Sequence, residues 1–143
     1  PDYARAVLAA SVDRAIERRI GFAVTPEVSR RSRLSVGGTY ASAVHALEHG
    51  FAANVAGGSH HAMPDGGAGY CVLNDLAITA AALLRDGRVA RILILDLDVH
   101  QGDGTAACLA GLAGAFPFSI HAERNFPARK VAGWRDVGLP DGT

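Results

Sequence analysis

Ile92-Leu93-Ile94-Leu95-Asp96-Leu97-Asp98-Val99-His100-Gln101-Gly102-Asp103-Gly104 runs from a continuous apolar stretch straight into three carboxylates and an imidazole. The Ile/Leu/Val run from Arg91 to Val99 predicts a strand of a parallel sheet covered on both faces. The polar residues then fall at its carboxyl end, where open α/β sheets carry their chemistry. On an extended backbone Asp98 and His100, two residues apart, point to the same side. One oxygen and one nitrogen donor on one side suit Zn²⁺ or a similar divalent ion. Asp96 follows the apolar run so closely that it should be buried, and a buried carboxylate needs a partner or a metal. Asp103, taken alone, reads equally well as a backbone cap.

Outward from this strand the chain alternates between helix and strand. Val7, Leu8, Val12, Ala15, Ile16 and Ile20 have helical spacing and predict a helix from Tyr3 to Ile20, stopped by Gly21. Gly21 to Arg33 reads as a loop around Pro26, with Arg30, Arg31 and Arg33 as a solvated basic cluster. Ser35 is the expected cap of a helix running to Glu48. Phe51 to Ala56 is a candidate strand. Asn74 or Asp75 opens a further helix through Leu84, Gly104 to Leu109 a short one, and Ala115 to Ile120 is another strand. From His121 onward the sequence reads as loop. The order predicts an α/β protein, three-layered, with a central parallel sheet and crossover helices. No repeat or linker divides residues 1–143, which read as a single domain.

Charge narrows the function classes. Lysine plus arginine and aspartate plus glutamate both count 14, so the formal net charge is zero. That balance offers no electrostatic argument for direct nucleic-acid or membrane binding. No apolar run approaches the roughly 18 residues of a membrane span. Cys71 and Cys108 read as buried thiols of a reducing compartment rather than a disulfide. The chain starts at Pro1 without an initiator methionine and stops in the turn-like Leu139-Pro140-Asp141-Gly142-Thr143, so both ends are read as cut.

A second constellation is His60-His61, set between Gly57-Gly58 and the loop Gly66-Gly67-Ala68-Gly69. Adjacent imidazoles can divide acid and base duties if each has its own orienting carboxylate. Read alone, they are also compatible with two surface histidines. His45 and His49 are four apart on a predicted helix, a spacing that can bind metal, but no third ligand is nearby. There is no P-loop, GxSxG, HExxH or paired CxxC motif.

Taken together, Gly57-Gly58-Ser59-His60-His61-Ala62, Gly69-Tyr70-Cys71-Val72-Leu73-Asn74-Asp75 and Asp96 through Thr105 resemble, in order and spacing, the zinc-dependent histone deacetylases. That family includes acetylpolyamine amidohydrolases and acetoin-utilisation proteins. His100-Gln101-Gly102-Asp103-Gly104-Thr105, Phe118-Ser119-Ile120-His121 and Asn125-Phe126-Pro127 look most like its class IV-like bacterial branch. The resemblance covers about Val36 to Thr143. It implies the arginase–deacetylase fold, truncated, with this chain as the N-terminal portion of a catalytic domain.

The resemblance also implies roles. Asp98 and His100 match two zinc ligands; the third, an aspartate, and an oxyanion-stabilising tyrosine belong to motifs absent before Thr143, so this chain alone is expected to be inactive. His60 and His61 match the tandem catalytic histidines, with His61 the main base and acid. Asp96 matches the carboxylate that orients His60, and Asp103 the one that orients His61. Asp96, Asp98, His100, Ser119 and Ile120 match a structural K⁺ or Na⁺ site. Gly69 and Tyr70 match the wall of the acyl-lysine tunnel, where the family often has phenylalanine. The implied reaction is zinc-dependent hydrolysis of N-acetyl- or acyl-lysine in a protein or peptide. Small acetylated amines such as acetylpolyamines are the alternative substrates. A degenerate, binding-only protein is the alternative from another class. A two-metal ureohydrolase of arginase type would need a carboxylate at Gly102. The oligomeric state is left open. The expected location is the cytoplasm, or the nucleus for a eukaryotic source.

Overall fold

The computed structural model describes residues 2–143. Three parallel strands form its sheet: β1 (Ile92–Asp96), β2 (Ala115–Ala122) and β3 (Arg135–Leu139), in that spatial order. Register pairs Ile94 with Pro117 and Asp96 with Ser119, then Ile120 with Val137. Five helices accompany them: α1 (Asp2–Leu8), α2 (Arg14–Ile20), α3 (Pro26–His49), α4 (Asp75–Arg85) and α5 (Asp103–Leu109). The expected α/β class with a parallel sheet and flanking helices is what the chain adopts. Among the described residues no helix is long and apolar enough to cross a membrane.

Two clusters make the core. Ala77 and Ala80 of α4 and Leu109 of α5 pack on Ile94, with Ile92 and Ala115 beside them. Tyr3, Val7, Val12, Ile20, Val24 and Val72 form the second, which holds α1 and α2 against the loop before α4. The Tyr3 hydroxyl donates to Val72 O at 2.7 Å, closing that cluster across the chain. Only the face of β1 bearing Ile92 and Ile94 meets helices. Leu93 and Leu95, on the other face, are 56% and 55% exposed, so the strand is not covered on both sides as its apolar run predicts. Phe116 and Phe118 are their register partners, and Trp134 packs against both rings.

Several boundaries differ from the sequence expectation. The single helix expected from Tyr3 to Ile20 is two, because Ala10 takes a left-handed backbone (φ 50°) and Asp13 caps a new start, accepting from Ala15 N–H. Thr25-Pro26 is the start of α3, not part of a loop: Thr25 Oγ1 accepts from Val28 N–H and proline occupies the first helical turn. Ser35, the expected cap, lies within α3, and its hydroxyl donates to Ala56 O. Arg30, Arg31 and Arg33 are therefore helical rather than in a loop, with Arg30, Arg31 and Arg33 all exposed. Phe51 to Ala56 forms no strand; Phe51 and Val55 are exposed, and Asn54 ties the segment to α3. Strand β3 falls where loop was expected, since Arg135-Asp136-Val137-Gly138-Leu139 has only Val137 and Leu139 in alternation, too short a pattern to reveal it. At the start of α4, Asn74 is the cap, one of the two residues expected to open this helix.

Candidate functional site

Strand β1 ends at Asp96, and the chain then folds back on its own carboxylates. Asp98 N–H donates to Asp96 Oδ1 at 3.0 Å, and His100 N–H donates to Asp98 Oδ1 at 2.8 Å. These two consecutive Asx turns, not the extended backbone expected, bring Asp98 and His100 together. Asp98 Oδ1 lies 3.1 Å from His100 Nδ1. Two donors about 2.0–2.1 Å from one tetrahedral ion would sit a little over 3 Å apart, so the pair suits a zinc-like ion. Among the described residues no group of three or more His, Cys, Asp or Glu could hold a metal. Asp98 and His100 present two donors side by side.

The histidine loop meets this strand end. His60 Nδ1 is 2.7 Å from Asp96 Oδ2, and His61 Nδ1 is 2.6 Å from Asp103 Oδ1. Each imidazole has its own carboxylate, as the tandem-histidine reading requires, and both rings are buried. Their centroids are 4.0 Å apart. His60 Nε2 comes within 3.9 Å of Asp98 Oδ1, which links the histidines to the metal-type donors. Gly102 makes room for this: a Cβ there would lie 2.3 Å from Asp96 Oδ2.

Burial works to lower the His60 pKa, but the hydrogen bond and charge of Asp96, with Asp98 and Asp103 behind it, leave it above the ordinary 6.5. For Asp96, burial raises the pKa, and the His60 bond and the Asp98 N–H outweigh that, leaving it below 3.8. The signs follow from linkage. His60's contribution to stability is complete below pH 6.5 and is lost as pH rises through its higher folded value. That of Asp96 is complete above pH 3.8 and is lost as pH falls through its lower folded value. The metal-free chain should therefore lose melting temperature as pH rises above 6.5 and passes through the raised folded value of His60. Asp96→Asn should flatten that slope in thermal melts followed by circular dichroism.

His60, His61, Asp98 and His100 open into one cavity of about 520 Å³, together with Gly69, Tyr70 and Phe126. Tyr70 holds a left-handed backbone (φ 64°), pinned by its N–H to Ile20 O at 2.8 Å, and its ring faces Phe22. The structure thus brings the two expected tunnel residues to the histidines. Phe126 was not singled out as a site residue, although its ring stands perpendicular to His61 at 4.8 Å. Its position depends on the loop after β2, which no local spacing reveals. Cys71 also faces the cavity, but burial pushes its thiol up to about 11, as it does for Cys108, so neither is a thiolate nucleophile near neutral pH. Both cysteines are free.

The residues expected around a monovalent cation are also neighbours. Asp96 and Ser119 are register partners, Ile120 follows on β2, and Asp98 and His100 cap the adjoining strand end. Ser119 Oγ is 2.9 Å from His121 Nδ1. His45 and His49 lie far along α3 with their rings 4.2 Å apart, and His49 Nε2 is also 3.9 Å from Glu48 Oε2.

The family model described as histone deacetylase domain matches residues 2–139. The chain belongs to the histone deacetylase domain family. An uncharacterized protein of Picosynechococcus is 48% identical over 142 residues, 99% of this chain and 47% of its own length. A probable deacetylase of Methanothermobacter thermautotrophicus is 36% identical over 101 residues, 70% of this chain and 30% of its own length. Among solved structures, an HDAC homolog from Aquifex aeolicus superposes with a TM-score of 0.75 at 25% identity, covering 97% of this chain and 42% of that one. An HDAC homolog complexed with SAHA superposes with the same TM-score at 26% identity, over the same shares. The chain spans about half the length of the relatives that it matches along nearly all of its own.

Proposed function

We propose that this chain supplies the histidine loop and the first metal ligands of a zinc-dependent hydrolase that deacylates N-acetyl- or acyl-lysine. The observation that supports this reading best is the pair of separately oriented imidazoles, His60–Asp96 and His61–Asp103, opening onto the cavity that Asp98 and His100 also line. Zinc held by Asp98, His100 and a further ligand would polarise the acyl carbonyl and acidify a water.

The rest is the work of this chain's side chains. With Nδ1 engaged by Asp103, His61 offers Nε2 as a base to that water and returns the proton to the leaving amine nitrogen. Water and amide thereby become a carboxylic acid and a free amine. His60, paired to Asp96, adds positive charge beside the reacting carbonyl. Gly69, Tyr70 and Phe126 line the approach for an extended aliphatic chain such as that of lysine. Asp96, Asp98, His100, Ser119 and Ile120 are the proposed K⁺ or Na⁺ site that stiffens the strand end.

The test uses a polypeptide that continues this chain to the family's full length. Acetyl-lysine peptide should be hydrolysed faster than an acetylpolyamine. Activity should disappear on chelation and return with zinc. Preference for the acetylpolyamine would move the substrate to small amines. Absence of hydrolysis with every acyl amide, zinc-loaded, would overturn the enzymatic reading. The 143-residue chain should bind zinc only weakly in a titration, having two ligands.

A further inference from the structure

Asp75 is the most deeply buried carboxylate of the chain, at 0% exposure, and the reaction just described does not use it. Among the described residues it forms no ion pair with Lys, Arg or His. A carboxylate in that setting persists only if hydrogen bonds replace its hydration. Those bonds go to two places. Asp75 Oδ1 accepts from Ser59 N–H at 2.7 Å, and both oxygens accept from Gly58 N–H at 3.1 Å. Gly58 and Ser59 immediately precede His60. On the other side Asp75 Oδ2 accepts from the Thr39 hydroxyl at 2.5 Å. Thr39 Oγ1 accepts in turn from Asn54 Nδ2 at 2.8 Å, which also donates to Ser35 O.

An aspartate in the first turn of a helix has an ordinary use, as a partner of that helix's own N–H groups and dipole. Here the cap is Asn74, whose Oδ1 accepts from Ala77 N–H at 2.9 Å, and none of the hydrogen bonds of the Asp75 carboxylate is to α4. Asn74 works on the far side of the same loop, with Nδ2 donating to Ala62 O at 3.2 Å. Two consecutive residues at the start of α4 therefore grip the histidine loop from both ends, Asp75 by the N–H groups before His60 and Asn74 by the carbonyl after His61.

We propose that Asp75 is a positioning residue for the tandem histidines, an extension of the deacylase reading above: it fixes the Gly58-Ser59 turn against α3 so that both rings meet their carboxylates. Its substitution acts on chemistry through His60 and His61 and not through contact with substrate.

The test is Asp75→Asn, which keeps the shape but removes the charge and one acceptor. In the full-length protein, amide exchange at Gly58 and Ser59 should accelerate about tenfold or more. The ring resonances of His60 and His61 should move, while those of His45 and His49 stay. In the full-length enzyme, kcat should fall about 10–100-fold with KM changed by less than about twofold. Unchanged ring resonances and kcat alongside a lower melting temperature would make Asp75 merely structural and overturn the proposal. Should Asp75→Asn fail to fold, Thr39→Val loosens the same carboxylate without uncovering it. It should shift the same amides and rings in the same direction by less, and no shift would overturn the proposal. If the unsubstituted enzyme hydrolyses no acyl amide, the deacylase reading fails, while the exchange and ring resonances still decide the role of Asp75.

Discussion

Replacing Asp103 with Asn in the full-length enzyme is expected to lower kcat by about 10²–10⁴-fold and leave KM almost unchanged. His61 and Asp103 are both nearly sealed from solvent, with side chains 4% and 5% exposed, and their bond is 2.6 Å long. The carboxylate accepts the Nδ1 proton, which fixes the tautomer with a free lone pair on Nε2. In the proposed reaction it would then stabilise the imidazolium formed when His61 takes a proton from water. Asn at 103 has no charge to do this, and its amide can donate to Nδ1, which holds the wrong tautomer. The cavity walls at Gly69, Tyr70 and Phe126 are untouched, so substrate affinity should survive. Steady-state kcat and KM measured across pH decide the matter. A kcat within about threefold of the unsubstituted enzyme would remove His61 as the proton carrier. The same change at Asp96 should cost less, because the proposed reaction asks His60 for charge and not for proton transfer.

The core of this site was legible because its residues sit at fixed short spacings. Asp96, Asp98 and His100 alternate after an apolar strand, and His60-His61 are adjacent between glycines, so chemistry and local order coincide. The strand β1 and the cap at Asn74 were readable for the same reason: an unbroken β-favouring run, and an Asx residue before helical spacing. What failed was decided at longer range or by turns. Thr25-Pro26 carries a helix-start signal, but Pro26 reads just as well as a loop marker until the 24-residue segment that it opens is seen to be helical. The break at Ala9–Val12 leaves the apolar spacing nearly intact, and only the left-handed Ala10 interrupts it. Strand β3 is stabilised by pairing with β2 rather than by its own composition. Phe126 reaches His61 only through tertiary structure. Asp75 stood in plain view as a helix opener, and its bonds to Gly58 and Ser59 span a loop that spacing cannot measure.

The first turn of α5 leads to the second large effect, expected of Gly104→Ala. A Cβ at 104 would lie 2.5 Å from Ala62 O and from the carbonyl carbon of His61, and 2.7 Å from His60 O. All three are backbone atoms, so no side chain can rotate out of the way. The contact is also hydrogen-bonded, with Thr105 N–H donating to His60 O at 3.0 Å. Adding one methyl group must push α5 and the histidine loop apart by several tenths of an ångström or more. Asp103 lies next to Gly104 on α5, so the push falls directly on the Asp103–His61 bond. Overpacking of this kind costs about 1–3 kcal/mol, and displacement of the paired groups should lower kcat by about 100-fold. Gly37, inside α3, has no atom within 4 Å of its ideal Cβ. There the same substitution removes backbone freedom without a clash and should stabilise by roughly 0.5–1 kcal/mol. Urea unfolding of the two variants separates the effects, since any general consequence of Gly→Ala would carry the same sign in both. A Gly104→Ala protein as stable and active as the original would mean that α5 does not press on the histidine backbone.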